Sequence, residues 1–303
     1  MRAMQDNKPS KPNANRRSAP KASLTITGIQ RIANDEQRAI GVMINEAHSA
    51  NDRIEQLSKA LSEATKRGNG KSASSELKAE RAKISSALAK EAGLKRNREK
   101  AGQEKIDAYE AVASKLHPFP EWSVAVLRGG FAVPFADSCD RLEGALEWEL
   151  RGEEYIRKYS NPLDDRRQTI LEKFSSMFPG GIAELDATIK CCLASSLNNQ
   201  SAVLRRLRRY DEAVDKAIAA YGLWPIDAIA LNLVLALDRA GYSSEVDEIF
   251  QRVASASTFG AEGDVLTLYS RFEAALIELK HVPSVAAFLQ RTSHASGDQA
   301  IAD

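Results

Sequence analysis

From residue 40 to residue 64 the chain places an apolar or small residue at alternating intervals of three and four. These are Ile40, Met43, Ala47, Ala50, Ile54, Leu57, Leu61 and Ala64, with charged positions between them. The stripe lasts more than three heptads and predicts a coiled-coil-like helix over about 28–66. Its Ile, Leu and Met side chains supply most of the buried area, while the alanines allow close approach. Lys66-Arg67-Gly68-Asn69-Gly70-Lys71 interrupts the pattern, and its glycines and asparagine supply the positive φ that a reversal needs. A second helical stretch starts near Ser74. Leu77, Ile84 and Leu88 mark its apolar face, then Ile106, Tyr109, Ala113 and Leu116, with Gly93 and Gly102 weakening the middle and allowing a bend. The expectation is an antiparallel helical hairpin over 28–117.

His117-Pro-Phe-Pro120 ends that arm, because the residue before a proline is disfavoured in helix. In WSVAVLRGGFAVPF we expect a short helix, a break at Gly129-Gly130 and the entry to the next helix, in preference to a β-hairpin. Leu142, Leu146, Leu150 and Ile156 mark a helix from Ala136 to about Tyr159. Ile170, Leu171 and Phe174 mark another from Leu163 to Met177, and a third is expected from Ile182 to Ser195. Pro/Gly turns every 15–25 residues are the pattern of an α-solenoid. The predicted fold class is therefore all-α, a hairpin followed by helical repeats.

The most ordered part of the second half is 197–253, in which one helix pair echoes another at a separation of 33 residues. Tyr210-Asp-Glu-Ala213 opens a helix with a small-residue face of Ala213, Ala217 and Ala220. Leu223-Trp-Pro225 ends it, and Asp227 is the expected N-cap of the next. Arg205, Arg206, Arg208 and Arg209 before Asp211-Glu212 suit the dipoles of a closing and an opening helix. This stretch resembles the tetratricopeptide repeat family. Tyr210-Asp-Glu-Ala213, Ala220 and Pro225 match the second helix of one repeat, and Asn232-Leu233, Ala236, Gly241 and Phe250 match the repeat that follows. Gln200, Ser201 and Arg208 depart from the family's Leu, Gly and Gly, Ser243 from its aromatic and Thr258 from its proline.

The resemblance covers about 196–258 and implies a TPR-like solenoid over 118–293 with a concave surface lined by first helices. Such a surface grips a peptide or another helix. Asn199 and Asn232 fall at equivalent places in those first helices. In peptide-binding members such asparagines hydrogen-bond a ligand's backbone, and satisfying neighbouring helix ends is the other role open to them. Arg206 and Arg239 are added as charged contacts. The expected closing pair is Asp264 to Leu279 and Pro283 to Thr292, with Leu266, Leu268, Phe272, Leu276, Ala287 and Leu289 inward.

Composition and charge refine this. Residues 1–27 are rich in Lys, Pro, Asn and Ser, and cannot offset their ordering entropy by burial, so they read as a disordered basic tail. Residues 294–303 read as a loose C-terminus. Residues 1–117 hold 23 Lys/Arg against 14 Asp/Glu, net +9, and the remainder 19 against 27, net −8. A basic hairpin is thus joined to an acidic repeat domain. The longest apolar stretch, Ala228 to Leu237, is about half the ~20 residues a bilayer span needs.

The histidines His48, His117, His281 and His294 have no partner at i+4, and no zinc, GxSxG or GxGxxG pattern occurs. Gly70-Lys71-Ser72 resembles the end of a phosphate loop, but Thr65 stands where its first glycine belongs. Three cysteines, two of them adjacent, make no disulfide framework. Glu153-Glu154 and Asp164-Asp165 read as adjacent acids at helix starts. We therefore expect no cofactor or metal and a non-enzymatic, cytoplasmic adaptor, client chaperone or regulator. Its partner is a protein or peptide, and the hairpin could also make homo-oligomers. One alternative is nucleic-acid association, with Arg16, Arg17, Lys95, Arg96 and Arg98 on phosphates. Another is an exported effector with a disordered leader.

Overall fold

The computed structural model describes residues 26–67, 75–256 and 275–290, with side chains over 38–67, 75–252 and 275–290. Among these residues all regular structure is helical, so the chain is all-α. The expectations for residues 1–25, the turn at 68–74, Thr258, Leu266, Leu268, Phe272 and 294–303 lie outside the described residues.

α1 (Ile26–Arg67) and α2 (Ser75–Leu116) form the hairpin, each 42 residues long. Ion pairs fix their antiparallel register: Arg98 to Glu46 at 2.9 Å, Arg53 to Glu91 at 3.1 Å and Arg67 to Glu80 at 3.0 Å. The stripe that the sequence marks in α1 faces inward, with Ile40, Ala47, Ala50 and Ala64 fully covered. α2 runs unbroken through Gly93 and Gly102, and its buried residues begin only at Gly102. From there Ile106, with Ile40 and Ala47 of α1, packs on Phe131 and Phe135 of the next helix.

α3 (Pro120–Phe135) is one continuous helix, which corrects the expected break at Gly129-Gly130. Gly129 is required there, because a Cβ would collide with the Glu149 carboxyl, whereas a Cβ on Gly130 would meet open space; one on Gly102 of α2 would collide with the Phe131 ring. Pro134 sits in the last turn of α3. The final three carbonyls of that helix are gripped from three other helices. Arg206 donates to Val133, Asn51 to Pro134 at 2.7 Å and Arg141 to Phe135 at 3.0 Å.

α4 (Cys139–Arg157) is capped by Ser138 and followed by a 3₁₀ turn, Lys158–Ser160. Leu150, expected on its apolar face, is 43% exposed, because the inward stripe passes through Glu149 and Glu153 instead. α5 (Arg166–Lys173) and a 3₁₀ turn at Ser175–Met177 are shorter than the helix expected there. Next, α6 (Ile182–Arg206) does not end at Ser195 as expected but runs for 25 residues. No proline or glycine interrupts it, and its Ser196 accepts from Trp122 of α3 while its Gln200 donates to Glu153 of α4.

α7 (Tyr210–Leu223), α8 (Asp227–Ala240) and α9 (Ser243–Ala256) follow, each packing on its predecessor, while α8 also touches α6. Ile226, not Asp227, is the N-cap of α8, and no side chain caps the helix there. Short helical segments at 275–278 and 283–290 close the core through Leu276, Leu279, Val285 and Phe288. Ala287 was expected inward but is exposed, since Phe288 takes the inward position.

The ends of α6 and α8 repeat each other. Arg208 N donates to Arg205 O and Arg209 N to Leu204 O, both at 3.0 Å. Gly241 N donates to Asp238 O at 3.1 Å and Tyr242 N to Leu237 O at 3.0 Å. Both helices therefore end in a Schellman turn, which needs a left-handed residue. Gly241 has φ 87° and Arg208 φ 61°. A left-handed conformation costs a non-glycine residue ~1–2 kcal/mol. Arg208→Gly should therefore raise stability by ~0.5–1 kcal/mol in urea unfolding, after the entropy of an added glycine is subtracted.

Candidate functional site

The inward face of α4 reads Leu142, Ala145, Leu146, Glu149, Gly152, Glu153, Ile156, so two acids one turn apart occupy core positions. This corrects the sequence reading of Glu153 as half of an adjacent pair at a helix start. Across the interface, α6 presents amides and a hydroxyl. Asn199 Nδ2 donates to Glu149, 3.3 Å from each carboxyl oxygen. Gln200 Nε2 donates to Glu153 Oε2 at 2.7 Å, and Ser196 Oγ accepts from Trp122 Nε1 at 3.0 Å. Glu153 also meets Arg157 at 2.7 Å and Lys216 at 3.1 Å.

These surroundings separate the two carboxyls. Burial holds Glu149 well above the usual carboxylate range, and the Asn199 hydrogen bond offsets only part of that. Burial also pushes Glu153 up, but Gln200, Arg157 and Lys216 together bring it below its ordinary value. Glu149 therefore keeps its proton to higher pH than an ordinary carboxyl, and Glu153 loses its proton at lower pH. Such divergence marks functional groups and structural networks alike. Glu149 is wholly inaccessible, so the seam holds three helices together and does not meet a solute.

A second polar group lies where α6 meets α8. Arg205 Nη2 donates to Asn232 Oδ1 at 2.5 Å, and Asn232 Nδ2 donates to Asn198 O at 3.0 Å. Arg205 Nε is buried without an acceptor. Among the described residues no carboxylate pairs with this guanidinium; burial and then the adjacent Arg239 pull its pKa down to about 10. Arg239 itself bonds Glu278, and on the neighbouring turn His281 meets Asp238 at 2.6 Å.

No family model, curated protein or solved structure matches this chain.

The residues that the sequence singles out are thus dispersed. Asn199 belongs to the α4–α6 seam, while Asn232 and Arg239 gather around Arg205. Asn232 is buried, with its carbonyl and one amide hydrogen used between α6 and α8. Arg206 reaches across to α3. On the hairpin, Arg96 is exposed, Arg98 is tied to Glu46, and Lys95 lies within Coulombic reach of Arg206. Arg16 and Arg17 lie outside the described residues. Two central residues, Glu149 and Arg205, were missed. Glu149 was legible as an acid in register with Leu142, Leu146 and Ile156, whereas Arg205 was hidden in a run of arginines that suited a helix end.

Among the described residues, no group of three or more His, Cys, Asp or Glu could hold a metal ion. Cys139, Cys191 and Cys192 are free thiols, and burial pushes Cys192 up to about 12. His117 is pulled down to about 4 by burial, and its Nδ1 accepts from Phe119 N. No helix among the described residues is long and apolar enough to cross a membrane.

Proposed function

We propose that the chain is a non-enzymatic interaction module, in which α6–α7 and α8–α9 act as two TPR-like hairpins. Their first helices, α6 and α8, form a groove for an acidic peptide or helix. The observation that carries this reading is Arg205. Leaving a guanidinium largely buried beside a second arginine, with only a neutral amide as partner, is unfavourable for the free protein. An acidic side chain or terminal carboxylate arriving from a partner would supply the missing charge, and Arg239 would share it. The recurrence of the same turn at Arg208 and Gly241 also supports two repeats.

The test is an array of acidic, neutral and basic peptides probed with the full chain, with Arg205→Gln alongside. Wild type should retain acidic peptides preferentially. Arg205→Gln should weaken them about tenfold or more, as for loss of one charged hydrogen bond. The same change should leave the free protein equally stable, or up to ~2 kcal/mol more stable, because a strained functional group is removed. Equal retention of acidic and neutral peptides would sink the reading.

A further inference from the structure

The root of the hairpin, where α1 and α2 meet α3, α4 and α6, holds more cationic donors than it has acceptors. The last carbonyls of α3 are already used: Val133 by Arg206, Pro134 by Asn51 and Phe135 by Arg141. Arg141 is further occupied by Glu99 and, at 3.5 Å, by Asp137. That leaves Lys95 of α2 and His48 of α1 with neither a hydrogen bond nor an ion pair among the described residues. Arg206 of α6 donates only to a neutral carbonyl. One turn along α2 from Lys95, Arg98 uses its Nε on Glu46, and its Nη1 is buried with no acceptor.

These groups gather around the end of α3: Arg206 bonds Val133, Asn51 one turn beyond His48 bonds Pro134, and Glu99 one turn beyond Lys95 pairs with Arg141, which bonds Phe135. His48 lies within Coulombic reach of Arg206 and Lys95, and Lys95 within reach of Arg206 and Arg141. The acids facing them are Asp52 on His48 and Asp137 on Lys95, and neither is in contact. Partial burial is the largest influence on His48, Lys95 and Arg206 and pulls each down from its ordinary pKa, while His48 and Arg206 keep exposed surface that an anion can reach. A cluster held in this state gains from any anion that enters it.

We propose that His48, Lys95 and Arg206, supported by Arg98, form a binding site for a phosphoryl group at the root of the hairpin. Three donors on three different helices suit a tetrahedral oxyanion with several acceptor oxygens better than a planar carboxylate with two. The cluster stands apart from the α6–α8 groove and does not depend on it. The source of the phosphoryl group is either a free phosphate or a nucleic-acid backbone.

The experiment follows the His48 imidazole by NMR in the full chain at constant ionic strength. Inorganic phosphate is titrated in one arm and a short single-stranded oligonucleotide in the other, against wild type and Lys95→Gln. Lys95 makes no hydrogen bond or ion pair among the described residues, so this variant should keep the wild-type circular dichroism and melting midpoint. A saturable upward shift of the His48 pKa with phosphate, weakened about tenfold in Lys95→Gln, supports the site with free phosphate as its ligand. The same behaviour with the oligonucleotide alone supports it with a nucleic-acid backbone as the source. No saturable change in either arm, or a change that Lys95→Gln leaves intact, overturns the proposal.

Discussion

Gly102→Ala should destabilise the chain by about 2–3 kcal/mol, the cost of forcing a group into a packed core. The same substitution nine residues earlier, Gly93→Ala, should stabilise it by up to ~1 kcal/mol. Both glycines lie inside α2, so helix propensity favours alanine equally at each. What differs is the space. A Cβ at Gly102 would lie 2.1 and 2.3 Å from ring carbons of Phe131, whereas nothing stands within 4 Å of one at Gly93. Phe131 is 3% exposed and packed against Ile40, Ala47 and Ile106, so the ring cannot swing aside without disturbing both arms. Urea unfolding of the two single variants checks the contrast. Pairing Gly102→Ala with Phe131→Leu should recover part of the loss, since the shorter side chain vacates the ring volume. If Gly102→Ala proved as mild as Gly93→Ala, α2 and α3 would not meet as closely as described.

The second large effect is a pH dependence carried by Glu149. Its ordinary carboxyl value is 4.5, and burial between α3, α4 and α6 raises it well above that. A group raised on folding gives its full stability below the unfolded value and loses it as pH climbs toward the folded value. Over that window each pH unit costs up to ~1.4 kcal/mol, because the unfolded chain has already released the proton. Glu149→Gln keeps the shape and can still accept from Asn199, but it has no proton to lose. The variant should therefore match wild type near pH 4 and become progressively more stable than it as pH rises past 5. Denaturant melts at several pH values read this directly, and parallel curves for the two proteins would refute it. Glu153 should not produce the same slope, since Gln200, Arg157 and Lys216 hold it on the acid side of its ordinary value.

Much of the fold was legible because it follows from spacing. The stripe from Ile40 to Ala64 named the inner face of α1, and the proline and glycine turns between α7, α8 and α9 lie where the residues place them. The misreadings share one cause. Gly129-Gly130 was read as a break and Ser195 as a helix end from local pattern alone. In each case the continuous helix packs on a residue distant in sequence: Glu149 against Gly129, and Trp122 bonded to Ser196, the residue after Ser195. Leu150 and Ala287 were assigned inward from hydrophobicity, yet each lost its place to an immediate neighbour better in register. Local propensity could not reveal that Glu149 belongs to the apolar face of α4. Nor could it show that Arg205 lacks a carboxylate, since that depends on which helices meet.

The grip on the end of α3 has a mechanical consequence. Asn51 of α1 holds the Pro134 carbonyl and Glu99 of α2 pairs with Arg141, itself bonded to Phe135, so both arms are tied to the end of α3 and the hairpin is not free to pivot on its linker at His117. It is a lever with its fulcrum at Asn51. From there α1 continues to Arg67, a further ~24 Å at 1.5 Å per residue. Force applied at the tip would be delivered to the start of α4 and the end of α6, beside Arg205 and the proposed groove.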